Sequence, residues 1–354
     1  MIRVVVAEDS PTSRELLVAL FNSDPSFKVV GQACDGHEAV ELTRKLRPNL
    51  VTMDVRMPRM DGLAATRQIM IETPTPIVVV SATLERDDVA ASMRAIHAGA
   101  LTALSKPPGP GAPDFEPARA RFLATVRSLA SVKVVGHRLR TLSRRVPPVS
   151  ASPSPWLSSD GRMAMTVVAL AASTGGPAAL RAVLDALPHE FPVPVLVVQH
   201  LSPGFLPGFV AWLNMTCRLR VKVAEEGEPI ERGHVYIAPQ DRHLSVSPGL
   251  SVRTLTTPPV DGFRPSASVL FESVANAYGR HAAGVILTGM GRDGVDGLRR
   301  IRELGGRIIA QDEQTSSVFG MPAAAIEAGL PDWVLPISMV APKLAEMVGL
   351  ETKE

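Results

Sequence analysis

Leu50-Val51-Thr52-Met53-Asp54 runs through core-type residues straight into a carboxylate, and the reading of this stretch decides the fold. A strand without polar alternation is covered on both faces, as in a parallel sheet clad by helices on each side. The same kind of run recurs at Val4–Ala7, Lys28–Val30, Ile77–Val80 and Leu101–Leu104. Between the runs lie amphipathic stretches, among them Leu16, Leu17 and Leu20, then Ala39, Val40, Leu42 and Leu46. The alternation predicts an α/β domain with a doubly wound, parallel five-stranded sheet over residues 1–131, closing on a helix near Ala118–Leu129.

Beyond this domain the composition changes. Pro147, Pro148, Pro153 and Pro155 are mixed with serine and arginine, so residues 132–162 read as an extended, flexible linker. The basic run His137 to Arg145 falls inside it and reads as solvated chain. Strand–helix alternation then restarts at Val167–Ala171 and continues through Val195–Val198, Val235–Ala238, Val285–Leu287 and Arg307–Ala310. Helical segments such as Pro177–Leu187 and Ala323–Ala328 lie between some of these runs. Residues 163–354 are therefore expected to form a second, larger α/β domain with a mainly parallel sheet.

Composition excludes several classes. At 354 residues with 45% hydrophobic and 20% charged residues, the chain is long enough for two cores and too apolar for disorder. A formal net charge of +2 implies no nucleic-acid surface. Cys34 and Cys217 lack CxxC spacing, which fits a reducing compartment. The N-terminus enters an apolar strand at once, and no long apolar run follows, so neither a signal peptide nor membrane insertion is expected. A cytoplasmic protein is predicted.

In a doubly wound sheet, ligands bind beyond the carboxyl ends of the strands. The first strand ends in Glu8-Asp9, the third in Asp54 and the fourth in Ser81, while Lys106-Pro107 follows the fifth. Three converging carboxylates need a hard cation, and Mg²⁺ suits a few oxygen ligands plus water and phosphate. Asp54 can then take a phosphoryl group, with Lys106 neutralising charge and Ser81 contacting the new phosphate oxygens. Together with Met53-Asp54-Val55-Arg56-Met57-Pro58-Arg59-Met60-Asp61-Gly62, these residues resemble a two-component receiver domain, which is flavodoxin-like in fold. The resemblance implies that Asp54 is the phosphoacceptor and that Glu8, Asp9, Asp54 and the Arg56 carbonyl hold Mg²⁺. It also implies a chemotaxis-type histidine kinase as phosphodonor. One departure is Ala103, three positions before the lysine, where such domains commonly carry an aromatic switch residue.

The second domain repeats the logic of strand ends. Val167–Ala171 leads into Ala172-Ser173-Thr174-Gly175-Gly176-Pro177, a strand, a serine, a glycine turn and a proline at a helix start. His200 follows the strand Val195–Gln199, and Thr288-Gly289-Met290-Gly291-Arg292-Asp293-Gly294 follows Val285–Leu287. Serine needs a base to take its proton, and the base needs a carboxylate to fix its tautomer. These segments, with Ile237-Ala238-Pro239, Arg264-Pro265-Ser266, Gln311-Asp312 and Val318-Phe319-Gly320-Met321-Pro322, resemble the chemotaxis protein-glutamate methylesterase (CheB) family over essentially the whole chain. The resemblance implies Ser173 as nucleophile, His200 as general base, Asp293 as orienting carboxylate and the Met290 backbone N–H in the oxyanion hole, with no cofactor at this site. Its substrates would be methylated glutamates on chemoreceptor cytoplasmic helices, with glutamine deamidation by the same acyl-enzyme route.

A monomer is expected, with the unphosphorylated receiver lying across the esterase cleft. Arg264 is divided evenly between a cleft and a surface role, and His234 and His243, which lack zinc-site spacing, are expected at the surface. A DNA-binding regulator would need a basic helix-turn-helix, which residues 163–354 do not offer.

Overall fold

The computed structural model describes residues 1–81, 86–130, 132, 134 and 165–350. The expected linker lies, apart from residues 132 and 134, outside the described residues. The chain divides into two compact units.

The first unit carries β1 (Ile2–Ala7), β2 (Phe27–Ala33), β3 (Leu50–Met53), β4 (Ile77–Ser81) and β5 (Thr102–Ser105) in one parallel sheet of order β2-β1-β3-β4-β5. Helices α1 (Pro11–Asn22), α2 (Gly36–Leu46), α3 (Gly62–Glu72), α4 (Arg86–His97) and α5 (Phe115–Leu129) alternate with the strands. Local sequence starts three of these helices. The side chains of Ser10, Asp35 and Asp61 accept hydrogen bonds from Ser13, Glu38 and Ala64 N–H at 3.4, 2.9 and 2.7 Å. Val4, Val5, Val6, Leu50, Val51 and Met53 are fully buried, as unalternating strands require. The order places β1 beside β3 with Ala7 opposite Met53, so Glu8-Asp9 and Asp54 leave the sheet side by side. Ser81 pairs with Ser105, which brings Lys106 to the same edge. This is the crevice where doubly wound folds bind ligands.

The second unit is built on seven parallel strands of order β14-β13-β12-β6-β7-β9-β8. These are β6 (Val167–Ala172), β7 (Val195–Gln199), β8 (Arg220–Val223), β9 (His234–Ile237), β12 (Ala282–Ile286), β13 (Arg307–Gln311) and β14 (Trp333–Leu335). A separate antiparallel hairpin joins β10 (His243–Val246) to β11 (Val252–Leu255). The helices are α6 (Gly176–Ala186), α7 (Leu206–Thr216), α8 (Ala267–Tyr278), α9 (Val295–Glu303), α10 (Met321–Glu327) and α11 (Ile337–Met347). Central strand β6 lies between β12 and β7, so the segments after all three leave the sheet as neighbours. Helices α8 and α9 cross closely: a Cβ on Gly297 would stand 2.4 Å from the Ser268 carbonyl oxygen. That crossing presses the first turn of α8 toward the β12–α9 turn, where Asp293 sits. Among the described residues, no helix is long and apolar enough to cross a membrane.

Candidate functional site

In the first unit, backbone hydrogen bonds set the pocket walls. Glu8 N–H donates to the Ala33 carbonyl at 3.0 Å, Asp54 N–H to Ala7 at 2.9 Å, and Lys106 N–H to Ser81 at 2.9 Å. The Lys106 ammonium reaches Glu8 Oε2 at 2.6 Å and Asp54 Oδ2 at 2.9 Å. Glu8, Asp9 and Asp54 each offer an oxygen within 4.8 Å of the others, a donor set that fits a hard divalent cation. Arg56 N–H donates to Asp54 Oδ1 at 3.4 Å, placing that residue at the rim, and Ser81 is buried at its strand end. Burial pushes the Glu8 carboxyl up to about 7 despite its lysine partner. Burial alone would lower Lys106, but its hydrogen bonds to Glu8 and Asp54 hold it above the ordinary range. The sequence reading missed Arg14, whose guanidinium donates to the carbonyls of Glu8 at 2.7 Å and Asp9 at 3.3 Å and so fixes the loop they sit on. Cys34, Asp35 and Glu38 also converge, but Arg59 pairs with both acids and already supplies positive charge.

In the second unit, the structure brings His200 and Asp293 together. The His200 Nε2 to Asp293 Oδ2 distance is 2.9 Å. A carboxylate can only accept, so Nε2 carries the proton and the neutral ring keeps its lone pair on Nδ1. That nitrogen is buried and has no hydrogen-bond partner. Asp293 is 1% exposed. Its Oδ1 accepts from Ser266 Oγ at 2.8 Å and Ser268 N–H at 3.1 Å, and its Oδ2 accepts from Ala267 N–H at 2.7 Å as well as from His200. It therefore sits on the N-terminus of α8, where unsatisfied N–H groups and the helix dipole favour an anion. Burial opposes its ionisation, but the bonds from His200, Ala267 and Ser266 outweigh burial and hold the carboxyl below its usual range.

Ser173 follows β6 with its N–H on the Thr288 carbonyl at 3.0 Å, while His200 N–H donates to the Ala172 carbonyl at 3.1 Å. Among the described residues no hydrogen bond joins the Ser173 hydroxyl to His200; the two are neighbours through the β6–β7 register, Ala172 opposite Gln199. A Cβ on Gly289 would meet Ser173 Cβ at 2.8 Å, so only glycine lets the Thr288–Met290 turn lie against the serine. Met290 is next in that turn, one residue beyond the contact with Ser173.

Buried polar residues hold these turns, a role that sequence reading did not assign. Gln199 Nε2 donates to the carbonyls of Ser173 and His200, both at 2.8 Å. The Thr288 hydroxyl donates to the Thr174 carbonyl at 2.9 Å and accepts from Val318 N–H at 2.9 Å, and Thr288 N–H donates to Gln311 Oε1 at 2.8 Å.

Two expectations on this unit are revised. His243 is not a surface residue: it is fully buried, its Nδ1 accepting from Ser266 N–H at 3.1 Å and its Nε2 lying 3.2 Å from the Pro258 carbonyl. Strand β10 is covered on both faces, so its histidine can only be a satisfied core group. Arg264 has a structural role, donating to Asp241 Oδ1 at 2.7 and 2.9 Å and to the carbonyls of Thr256 and Thr257, each at 3.2 Å. Arg292 is exposed at the rim.

Comparison with known proteins agrees with both units. The family model for the response regulator receiver domain matches residues 4–112, and that for CheB methylesterase matches residues 168–344. A protein-glutamate methylesterase/protein-glutamine glutaminase of Myxococcus xanthus is 52% identical, with 97% of this chain and 96% of the relative covered. One from Anaeromyxobacter dehalogenans is 50% identical, with 98% of each covered. The solved catalytic domain of Thermotoga maritima CheB methylesterase matches at 39% identity with a TM-score of 0.51, covering 52% of this chain and 100% of that domain.

Proposed function

Because the chain belongs to the CheB methylesterase family and carries that family's receiver domain, we propose that it hydrolyses γ-glutamyl methyl esters on chemoreceptors, releasing glutamate and methanol under control of phosphorylation. Deamidation of receptor glutamines uses the same route, since ester and amide differ only in the leaving group. The observation that carries this reading is the His200–Asp293 pair at 2.9 Å, with Nδ1 left unpartnered and His200 and Ser173 at neighbouring strand ends.

Ser173 Oγ attacks the ester carbonyl and passes its proton to His200 Nδ1. The N–H of Met290 stabilises the negative oxygen, a donor type typically worth about 3–4 kcal/mol in the transition state. Nδ1 returns the proton to the leaving methoxide, and the acyl-enzyme is cleared by water activated at the same nitrogen. Asp293 stays ionised and holds the imidazolium.

In the receiver, Glu8, Asp9, Asp54 and the Arg56 carbonyl would hold Mg²⁺, which would supply charge neutralisation. Asp54 accepts the phosphoryl group from a chemotaxis-type histidine kinase, and Ser81 and Lys106 contact it. Small, buried Ala103 leaves Ser81 as the switch group, and the unphosphorylated receiver inhibits the esterase. The enzyme acts as a cytoplasmic monomer on the cytoplasmic helices of its receptors.

One expected result concerns the metal. With Glu8 at about 7, a cation must displace a proton to reach it at lower pH. Affinity for Mg²⁺ should fall about tenfold per pH unit below that value and level off above it. Calorimetric titration of the full chain from pH 5.5 to 8 measures this, and equal affinity at both ends would remove Glu8 from the ligand set. The function itself is tested by methanol release from methylated receptor membranes, with and without an acyl phosphate. Release stimulated by the phosphodonor is expected; no release in either case rejects the assignment.

A further inference from the structure

The His200 ring lies flat against Phe263, with centroids 4.1 Å apart and planes 7° apart. Phe263 belongs to none of the strand-end segments that hold the triad residues. We propose that Phe263 is a positioning residue for the hydrolysis: its ring fixes the plane of the His200 imidazole, keeping Nε2 on Asp293 and Nδ1 available for the Ser173 proton. The inference rests on the reading of Ser173, His200 and Asp293 as the reacting groups.

The geometry requires such a group. The backbone of His200 is fixed, its N–H on Ala172 and its carbonyl on Gln199 Nε2 at 2.8 Å. Two side-chain torsions remain. The bond to Asp293 sets the direction of one ring nitrogen, but the ring can still swing about that bond, and Nδ1 is tethered by nothing. A parallel aromatic face removes the remaining freedom. It also meets the charge that the ring gains on taking the serine proton, because a cation is attracted to the face of an aromatic ring.

The chain presents Phe263 by construction. Val260 and Phe263 exchange both backbone hydrogen bonds, at 3.0 and 2.9 Å, around Asp261 and Gly262 with φ of 50° and 83°. Two successive positive φ values are those of a type I′ turn, which Asp-Gly favours. Arg264 then clamps the chain leaving the turn to Asp241, and two residues later Ser266 opens the set of donors to Asp293. One short segment, residues 260–268, thus delivers both the face that packs on the base and the groups that hold its carboxylate.

The test uses the full chain with an acyl phosphate present. Phe263→Met keeps apolar bulk without a ring, and Phe263→Tyr keeps the ring. Phe263→Met should lower kcat for methanol release about tenfold, the scale of a small misalignment of reacting groups, with KM for receptor membranes changed by no more than about twofold. Phe263→Tyr should stay within about twofold of the parent enzyme. Melting temperature is read alongside, so that loss of folded protein is not counted as loss of kcat. Proton–nitrogen correlation spectra of histidine-labelled protein give an independent reading: a single Nε2-protonated form of His200 in the parent and in Phe263→Tyr, mixed forms in Phe263→Met. Unchanged kcat and a single form in Phe263→Met overturn the inference, as does an equal loss in both variants. If methanol release by the parent is insensitive to Ser173→Ala, the hydrolase reading falls first and this inference with it. If release depends on Ser173 but not on Phe263, only this inference falls.

Discussion

Ser173→Ala is expected to lower receptor-dependent methanol release by about 10⁶-fold, the scale seen when a triad nucleophile is lost from a serine hydrolase. The chemistry admits no substitute, because the acyl-enzyme needs an oxygen at that strand end. His200 could still activate water directly and the oxyanion donors would remain, so activity about 10³-fold above the uncatalysed rate should persist. The fold should not respond. Alanine keeps the Cβ that fits against Gly289, and the Ser173 N–H and carbonyl keep their bonds to Thr288 and Gln199. Comparing kcat and melting temperature of the two proteins is the measurement, and a variant retaining even a tenth of the activity would remove Ser173 as nucleophile.

Asp293→Asn should cost about 10⁴-fold in kcat with little change in KM. The carboxylate accepts from four donors: His200, Ser266, Ala267 and Ser268. An amide has one accepting oxygen. If its NH₂ turns to His200, Nε2 must accept, the proton moves to Nδ1, and the base can no longer take the serine proton. If its NH₂ turns to α8, the Ser268 N–H loses its acceptor in a buried site. Either way the charge that steadies the imidazolium is gone. An unpaired buried N–H costs about 1–3 kcal/mol, so the variant should also melt earlier at neutral pH. The sign is set by the lowered carboxyl: its stabilisation is present above the ordinary aspartate value and is lost as pH falls through the folded one. The stability gap between parent and variant should therefore close in acid. A kcat within tenfold of the parent would show that Asp293 does not orient the base.

Much of this was legible because strand ends carry their chemistry in the sequence. Leu50–Met53 followed by Asp54, and Val167–Ala172 followed by Ser173, combine an unbroken apolar run with a reactive residue, and the parallel order follows from the runs. Other features were not legible. Strands β8, β10, β11 and β14 have three or four residues, too short to show a period. In β10, His243-Leu244-Ser245-Val246 alternates like a half-exposed strand yet is buried throughout. Ser266, Ala267 and Ser268 reach Asp293 from 25 to 27 residues away, two of them through backbone N–H groups that leave no trace in residue type. Phe263 reads as an ordinary turn-flanking aromatic until the fold stacks it on His200. Tertiary contact, not local pattern, assigns these residues their work.

The backbone share of the cradle around Asp293 bears on how this site tolerates change. A donor that every amino acid except proline supplies cannot be lost by ordinary substitution. The bonds that positions 267 and 268 give the carboxylate therefore do not depend on side-chain type, although burial of Ala267 and the bond that Ser268 Oγ accepts from Gly294 N–H at 2.9 Å restrict what each position can carry. The side chain itself is indispensable at Asp293 and Ser266, and its absence is needed at Gly297, where a bare backbone lets the neighbouring helix hold that turn in place. A mutational scan of α8 should thus tolerate change at exposed Glu272, and reject proline in the first turn, polar residues at buried Leu270, Phe271 and Val274, and bulk at the helix crossing.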